Sequence, residues 1–187
     1  RNGTDANAYR LLGNLYEQTH QPAKAVTAYR SAVKHAKNRG TELLNLARML
    51  TKTGQVQDAI SSYSKAIAWN DKFLPAYQGL ANLLIAEGDS EYATLLISQI
   101  EDLTTGSGLA DNLRGELSFR LGDNKQAEAS FLEAIRKSES PKPVFNLYKL
   151  YKRQRDYKKA GRLMSNWLKD HPDDLLGHIS LADIYRQ

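Results

Sequence analysis

The chain has 187 residues, 41% of them hydrophobic and 25% charged, with a net charge of +5 and no cysteine. This size and balance fit one ordinary folded domain or one array of small repeats. They exclude disorder, collagen-like structure, disulfides, thiolate zinc sites and a cysteine nucleophile. Helical periodicity and turn residues predict helices near 7–19, 22–36, 41–53, 56–69, 75–87, 90–102, 109–121, 124–137, 142–154, 157–170 and 176–187. Gly54, Gly88 and Gly122 stand where a left-handed residue would end a first helix, and Asp89 and Asp123 follow as caps for the next one. Pro22 and Pro75 suit first-turn positions. Gly106-Ser107-Gly108 reads as a flexible link, and Asp174 as the cap of the last helix.

The charge is unevenly placed. Residues 1–140 hold 16 basic and 16 acidic side chains, whereas residues 141–187 hold 10 and 5. Residues 87–116 carry seven acids and one base, Arg114. No apolar run reaches the ~18–20 residues that span a bilayer. The start, Arg1-Asn2-Gly3-Thr4, lacks a Met and a hydrophobic stretch, which predicts a segment of a longer protein with no signal peptide within it. Asn2-Gly3-Thr4 matches a glycosylation sequon, read as accidental on a frayed terminus.

Internal repetition organises the whole chain. Ala25, Ala59, Ala93, Ala127 and Ala160 recur at spacings of 34, 34, 34 and 33. Four residues later come Tyr29, Tyr63, Ile97, Phe131 and Met164, and seven later Ala32, Ala66, Ile100, Ala134 and Trp167. Twelve residues before each alanine stand Gly13, Ala47, Ala81, Gly115 and Tyr148. Small residues at fixed phase let two helices approach closely, and one such hairpin cannot bury its faces alone. With Leu12-Gly13-Asn14-Leu15-Tyr16, Ala25, Tyr29 and Ala32, the pattern resembles the tetratricopeptide repeat. The resemblance implies an all-α, right-handed α-solenoid forming a single array over residues 1–187. Its repeats lie at about 6–39, 40–73, 74–107, 108–140 and 141–174, with one extra helix at 175–187.

Copy five departs from the pattern. Tyr148 and Trp167 replace small residues there, which predicts helices pushed apart. Arg114 and Ser118 fall where other copies are apolar. Arg114 either lays its stem on the core with its head in water, or pairs with Glu116 or Asp111. The last helix cannot turn Ile179, Leu181, Ala182, Ile184 and Tyr185 all inward, so self-association through it, or a longer chain, is expected.

In this family the first helix of each copy lines the concave face. By repeat position that groove receives Asn14, Asn45, Asn82, Asn112 and Asn146, one per copy. A carboxamide both donates and accepts, so it can bracket the amides of an extended peptide. The plainer reading is a tolerated polar residue on a wet face. Lys142, Asn146, Lys149 and Arg153 follow at intervals of four, three and four on one helical face, with Lys152 beside them and Arg120 and Arg186 on neighbouring helices. These cations predict a basic patch for an acidic peptide or anionic polysaccharide, weakened by Glu116 and Asp183, or else a solvated face that keeps the chain soluble. The two-carboxylate clamp of co-chaperone members is incomplete, because Arg10, Asn14 and Asn45 fit but copy three offers Pro75 and Gly79.

No catalytic constellation is present: no phosphate loop, no His-Glu-x-x-His helix, no nucleophile–base order. The expectation is a non-enzymatic scaffold without cofactor or metal. His171 and His178 beside Asp173 and Asp174 read better as a capped helix than as a metal site. Tyr16, Tyr29, Tyr63 and Tyr151 occupy core positions rather than a stacking surface. Nucleic acid is disfavoured because aromatic residues do not interleave with exposed bases.

The run Asn166-Trp167-Leu168-Lys169-Asp170-His171-Pro172-Asp173-Asp174, then Leu181-Ala182-Asp183-Ile184-Tyr185, is similar to repeats of the tetratricopeptide lipoproteins of the bacterial PEP-CTERM/exosortase system. Leu113-Arg114-Gly115-Glu116-Leu117 has a similar character. That likeness implies a periplasmic or envelope location and a link to exopolysaccharide or surface-protein export. Scaffolds of polysaccharide secretion and pilus assembly, a cytosolic adaptor or co-chaperone, and the regulatory array of a larger enzyme are the rival readings.

Overall fold

A computed structural model describes residues 2–186, with side chains from Asp5 onward. The sequon side chains at Asn2 and Thr4, and Gln187 of the predicted last helix, lie outside the described residues. Eleven helices and no strand are found among the described residues: α1 Asn2–Gln18, α2 Pro22–His35, α3 Gly40–Lys52, α4 Val56–Trp69, α5 Leu74–Glu87, α6 Ser90–Leu103, α7 Leu109–Leu121, α8 Asn124–Lys137, α9 Pro141–Arg153, α10 Tyr157–Asp170 and α11 Leu175–Tyr185. The predicted helices match these to within two residues, except that α1 starts five residues earlier. The chain divides into two compact units, residues 1–96 and 97–187. None of the helices is long and apolar enough to cross a membrane among the described residues.

Each unit is a stack of helical hairpins held by the same contact. Ala25, Ala59 and Ala93 in unit 1, and Ala127 and Ala160 in unit 2, are wholly buried. In unit 1 the Tyr29 ring lies across Gly13, where a Cβ would stand 2.5 Å from Tyr29 Cε1. In unit 2 Phe131 covers Gly115 in the same way, also at 2.5 Å. The large ring therefore needs a helix surface with no side chain opposite it, and the repeat phase supplies one.

The turns inside the repeats share one backbone form. His20, Gly54, Gly88, Gly122 and Arg155 all have φ between 56° and 84°. The next residue then bonds back five positions: Gln21 N to Tyr16 O, Gln55 N to Leu50 O, Asp89 N to Leu84 O, Asp123 N to Ser118 O and Asp156 N to Tyr151 O, at 2.8 to 3.0 Å. This Schellman-type closure satisfies the orphan carbonyl at each helix end. The three glycines were expected there. His20 and Arg155 hold the same strained conformation without glycine's freedom. Asp89, Asp123 and Asp156 accept from Tyr92, Gln126 and Lys159 N–H, capping the following helices. Gln21 and Gln55 make no such bond.

The departures have visible consequences. Helices α9 and α10 approach each other less closely than α1 and α2, α3 and α4, or α7 and α8, as Tyr148 and Trp167 predicted. Tyr148 reaches α11 instead, donating its hydroxyl to Ser180 O at 3.1 Å and Asp183 Oδ2 at 3.2 Å. Trp167 stacks on His171 with ring centroids 3.6 Å apart and donates Nε1 to Asp174 Oδ2 at 2.6 Å. That bond and two backbone N–H groups hold the Asp174 carboxyl below its usual range. Arg114 pairs with Asp111 at 3.0 Å, one of its two expected partners, and also with Glu101 at 2.8 Å, which was not expected. Lys137 adds a second cation to Asp111 at 2.8 Å, and Asp111 is buried between them. Within Gly106-Ser107-Gly108, Gly106 and Ser107 are exposed, whereas Gly108 is buried and a Cβ there would lie 2.8 Å from Ala134 O. On α11, Ile184 is buried while Leu176, Ile179 and Tyr185 stay exposed, so its apolar residues do split between core and surface.

Candidate ligand-binding grooves

In unit 1 the first helices α1, α3 and α5 present the polar face. Asn14 Oδ1 accepts from the Tyr29 hydroxyl at 2.8 Å, and Glu17 lies 3.3 Å from the same hydroxyl. Burial, then the Glu17 charge, pushes the Tyr29 hydroxyl up to about 12, so it remains a donor at neutral pH. Lys52 pairs with Glu17 at 2.5 Å and, as the largest cause, lowers the Glu17 carboxyl. Between α3 and α5 opens a cavity of about 420 Å³ lined by Arg48, Thr51, Tyr63, Gln78, Gly79 and Asn82 among others. Asn82 is thus a wall residue, whereas Asn45 is half-buried on α3 and does not line this cavity. Arg48 is exposed and makes no ion pair or hydrogen bond among the described residues. Gly79 explains the incomplete clamp. The Tyr63 ring fills the space over it, and a Cβ would meet Tyr63 Cε1 at 2.4 Å, so no cationic side chain fits there. Tyr63 was missed as a site residue because its repeat position marks it as packing.

Unit 2 gathers its expected residues and ties them to one another. Asn112 is buried and donates Nδ2 to Glu116 Oε1 at 2.7 Å. Asn146 Nδ2 reaches Asn112 Oδ1 and the same Glu116 oxygen, each at 3.0 Å. Lys142 Nζ completes the cluster 2.9 Å from Glu116 Oε1. These two carboxamides therefore hold neighbouring helices α7 and α9 in register, leaving their Nδ2 groups already engaged.

The cationic stripe is partly neutralised. Lys152 pairs with Asp183 at 2.5 Å, which raises the lysine and, from the other side, lowers the carboxyl. Arg153 folds over Phe119 with its guanidinium 3.6 Å from the ring centre, and donates to Phe119 O and Asn124 Oδ1 at 3.0 and 2.6 Å. Arg120 and Arg186 are exposed. Lys149 is exposed with no hydrogen bond or ion pair among the described residues. Glu116 and Asp183, expected to weaken the field, do so by direct pairing.

Residues 10–79 match the family model of the tetratricopeptide repeat. That stretch carries tetratricopeptide repeats. The repeat phase extends that match along the chain, and solved structures of the same fold cover it. A thermophilic tetratricopeptide-repeat protein of Thermus thermophilus superposes with a TM-score of 0.77 at 21% identity, over 97% of this chain and all of that one. The pilF protein of Pseudomonas aeruginosa superposes with a TM-score of 0.69 at 19% identity, over 99% of this chain and 86% of that one. Among curated proteins, cellulose synthase operon protein C of Pseudomonas fluorescens is 27% identical over 137 residues. That match takes in 68% of this chain and 11% of the relative, so the chain spans a small part of its length. The fold class is all-α, a solenoid built of helical hairpins, and the tetratricopeptide repeats make it a protein-interaction scaffold.

Proposed function

We propose that this repeat array is a non-enzymatic segment of a bacterial envelope protein linked to exopolysaccharide or surface-protein export. Its first-helix faces bind an extended acidic peptide or acidic polymer. The observation that carries the binding mode is the unit 1 cavity, where Arg48, which acts on Glu17 through its charge, makes no ion pair or hydrogen bond among the described residues and stands beside the carboxamides of Gln78 and Asn82. An open cation flanked by groups that both donate and accept suits a carboxylate side chain next to a backbone amide. In unit 2, Lys149 offers the corresponding open charge. The envelope and export part rests on the similarity to cellulose synthase operon protein C.

The test is titration of a fluorescent, extended Asp/Glu-rich peptide, and separately of a uronate oligomer, into the parent chain and into Arg48→Glu and Lys149→Glu. Binding at low salt, lost about tenfold in Arg48→Glu and falling steeply with ionic strength, is the expected result. Equal binding by parent and both variants sinks the groove assignment. Fractionation of cells making the full protein, followed by immunoblotting, tests the location independently: recovery in the cytosol removes the envelope reading.

A further inference from the structure

Unit 1 holds a second cavity, on the side where α2 and α4 pack beside the start of α3. Its volume is about 640 Å³. Val33, Leu43, Leu46 and Ala68 give it an apolar floor. The rim is cationic, with Arg30, Arg39 and Lys65 against the single carboxylate of Asp58. Arg30 already holds Asp58 at 2.6 Å. Arg39 only donates Nε to Ala36 O at 3.4 Å, and Lys65 makes no hydrogen bond or ion pair among the described residues. Two exposed cations therefore stand over apolar surface with no carboxylate left to meet them.

Trp69 is the second independent feature. Its side chain lines this cavity and also a neighbouring one of about 330 Å³ that Gly40 and Phe73 border. Gly40 has no side chain to cover the indole, and a Cβ there would lie 3.4 Å from Trp69 Cδ1. The ring is 51% exposed, which is unusual for the largest apolar side chain unless it meets something.

The matching place in unit 2, beside α8, α9 and α10, is built differently. Its cavity of about 840 Å³ carries Arg136 and Lys137, but Glu133 and Asp111 hold both, and Glu139 and Asp170 add acid to the lining. Open positive charge over an apolar floor is thus a property of unit 1 and not of the repeat as such.

We infer that the cavity between α2, α3 and α4 docks an acidic amphipathic helix of a partner protein. Apolar side chains of that helix rest on Val33, Leu43 and Leu46 against the Trp69 ring, and its carboxylates meet Arg39 and Lys65. Charge complementarity and an apolar floor together select this partner over an acidic polysaccharide, which has no apolar face of that kind to bury. The site shares no residue with the first-helix-face groove, so the two proposals stand or fall separately.

The experiment follows the indole N–H signals of Trp69 and Trp167 by NMR, assigned with Trp69→Phe. The probes are a helix-forming peptide with Leu on one face and Glu beside it, the same peptide with Lys for Glu, and an oligogalacturonate. The Glu peptide shifts Trp69 and leaves Trp167 still; the Lys peptide shifts neither. Arg39→Glu with Lys65→Glu weakens the Glu peptide about tenfold or more while helical circular dichroism is unchanged. The assignment is overturned if Trp69 is unmoved at about 1 mM peptide, if the double variant binds as the parent does, or if the oligogalacturonate shifts Trp69 as tightly as the peptide.

Discussion

In unit 1 the Tyr29 ring presses on Gly13; in unit 2 the Phe131 ring presses on Gly115, and a Cβ at either glycine would stand 2.5 Å from the ring. The apolar framework of one unit is the framework of the other. Their polar side chains differ. Unit 2 gathers Lys142, Asn112 and Asn146 on Glu116, Lys152 on Asp183, and Arg114 and Lys137 on Asp111. Unit 1 leaves Arg48, Arg39 and Lys65 without an ion pair among the described residues. The basic stretch of the sequence, residues 141–187 with 10 bases against 5 acids, lies in the unit that pairs many of its charges internally. Net charge along a chain is therefore a poor guide to where a partner meets open charge, because each cation within reach of a carboxylate is already satisfied.

The sharpest way to break this comparison is to add one methyl group at each shared contact. Gly115→Ala and Gly13→Ala each drive a Cβ into a packed ring, and each is expected to cost about 1–3 kcal/mol despite the better helix propensity of alanine. Urea denaturation of both variants reads the effect. If one is neutral and the other severe, the two units do not share a packing device.

A smaller effect separates the caps. Asp123 and Asp156 cap α8 and α10, whereas Gln21 and Gln55 leave α2 and α4 uncapped. Changing Gln21 and Gln55 to Asp should raise stability by about 0.5–1 kcal/mol each, and Asp123→Ala should lower it by a similar amount. Thermal melts decide this, and an unchanged melting temperature in Gln55→Asp would show that the missing cap costs α4 nothing.

The smallest expected change sharpens what the units have in common. Arg155 has φ 59° and His20 φ 56°, in turns where the other repeats use glycine. A left-handed non-glycine residue costs about 1–2 kcal/mol, partly offset by the greater freedom glycine loses on folding. Arg155→Gly should therefore stabilise by about 0.5 kcal/mol, read as a small rise in the denaturation midpoint. Destabilisation would show that the Arg155 side chain contributes more than its backbone strain removes.

The helices, the buried alanines, the Asp123 cap and the glycine turns were all legible in the sequence, because each depends on residues close in the chain and recurs every 34 positions. The Tyr148 and Trp167 substitutions likewise announced the wider α9–α10 pair. Other features were decided by tertiary structure: Arg114 choosing Asp111 and Glu101 over Glu116, Arg153 folding onto Phe119, three donors meeting on one oxygen of Glu116, and Trp69 left half-exposed between two cavities. Those outcomes depend on rotamers and on distances of a few ångströms between side chains up to a full repeat apart. Periodicity places residues on a face, but only the packed helices determine which donor reaches which acceptor.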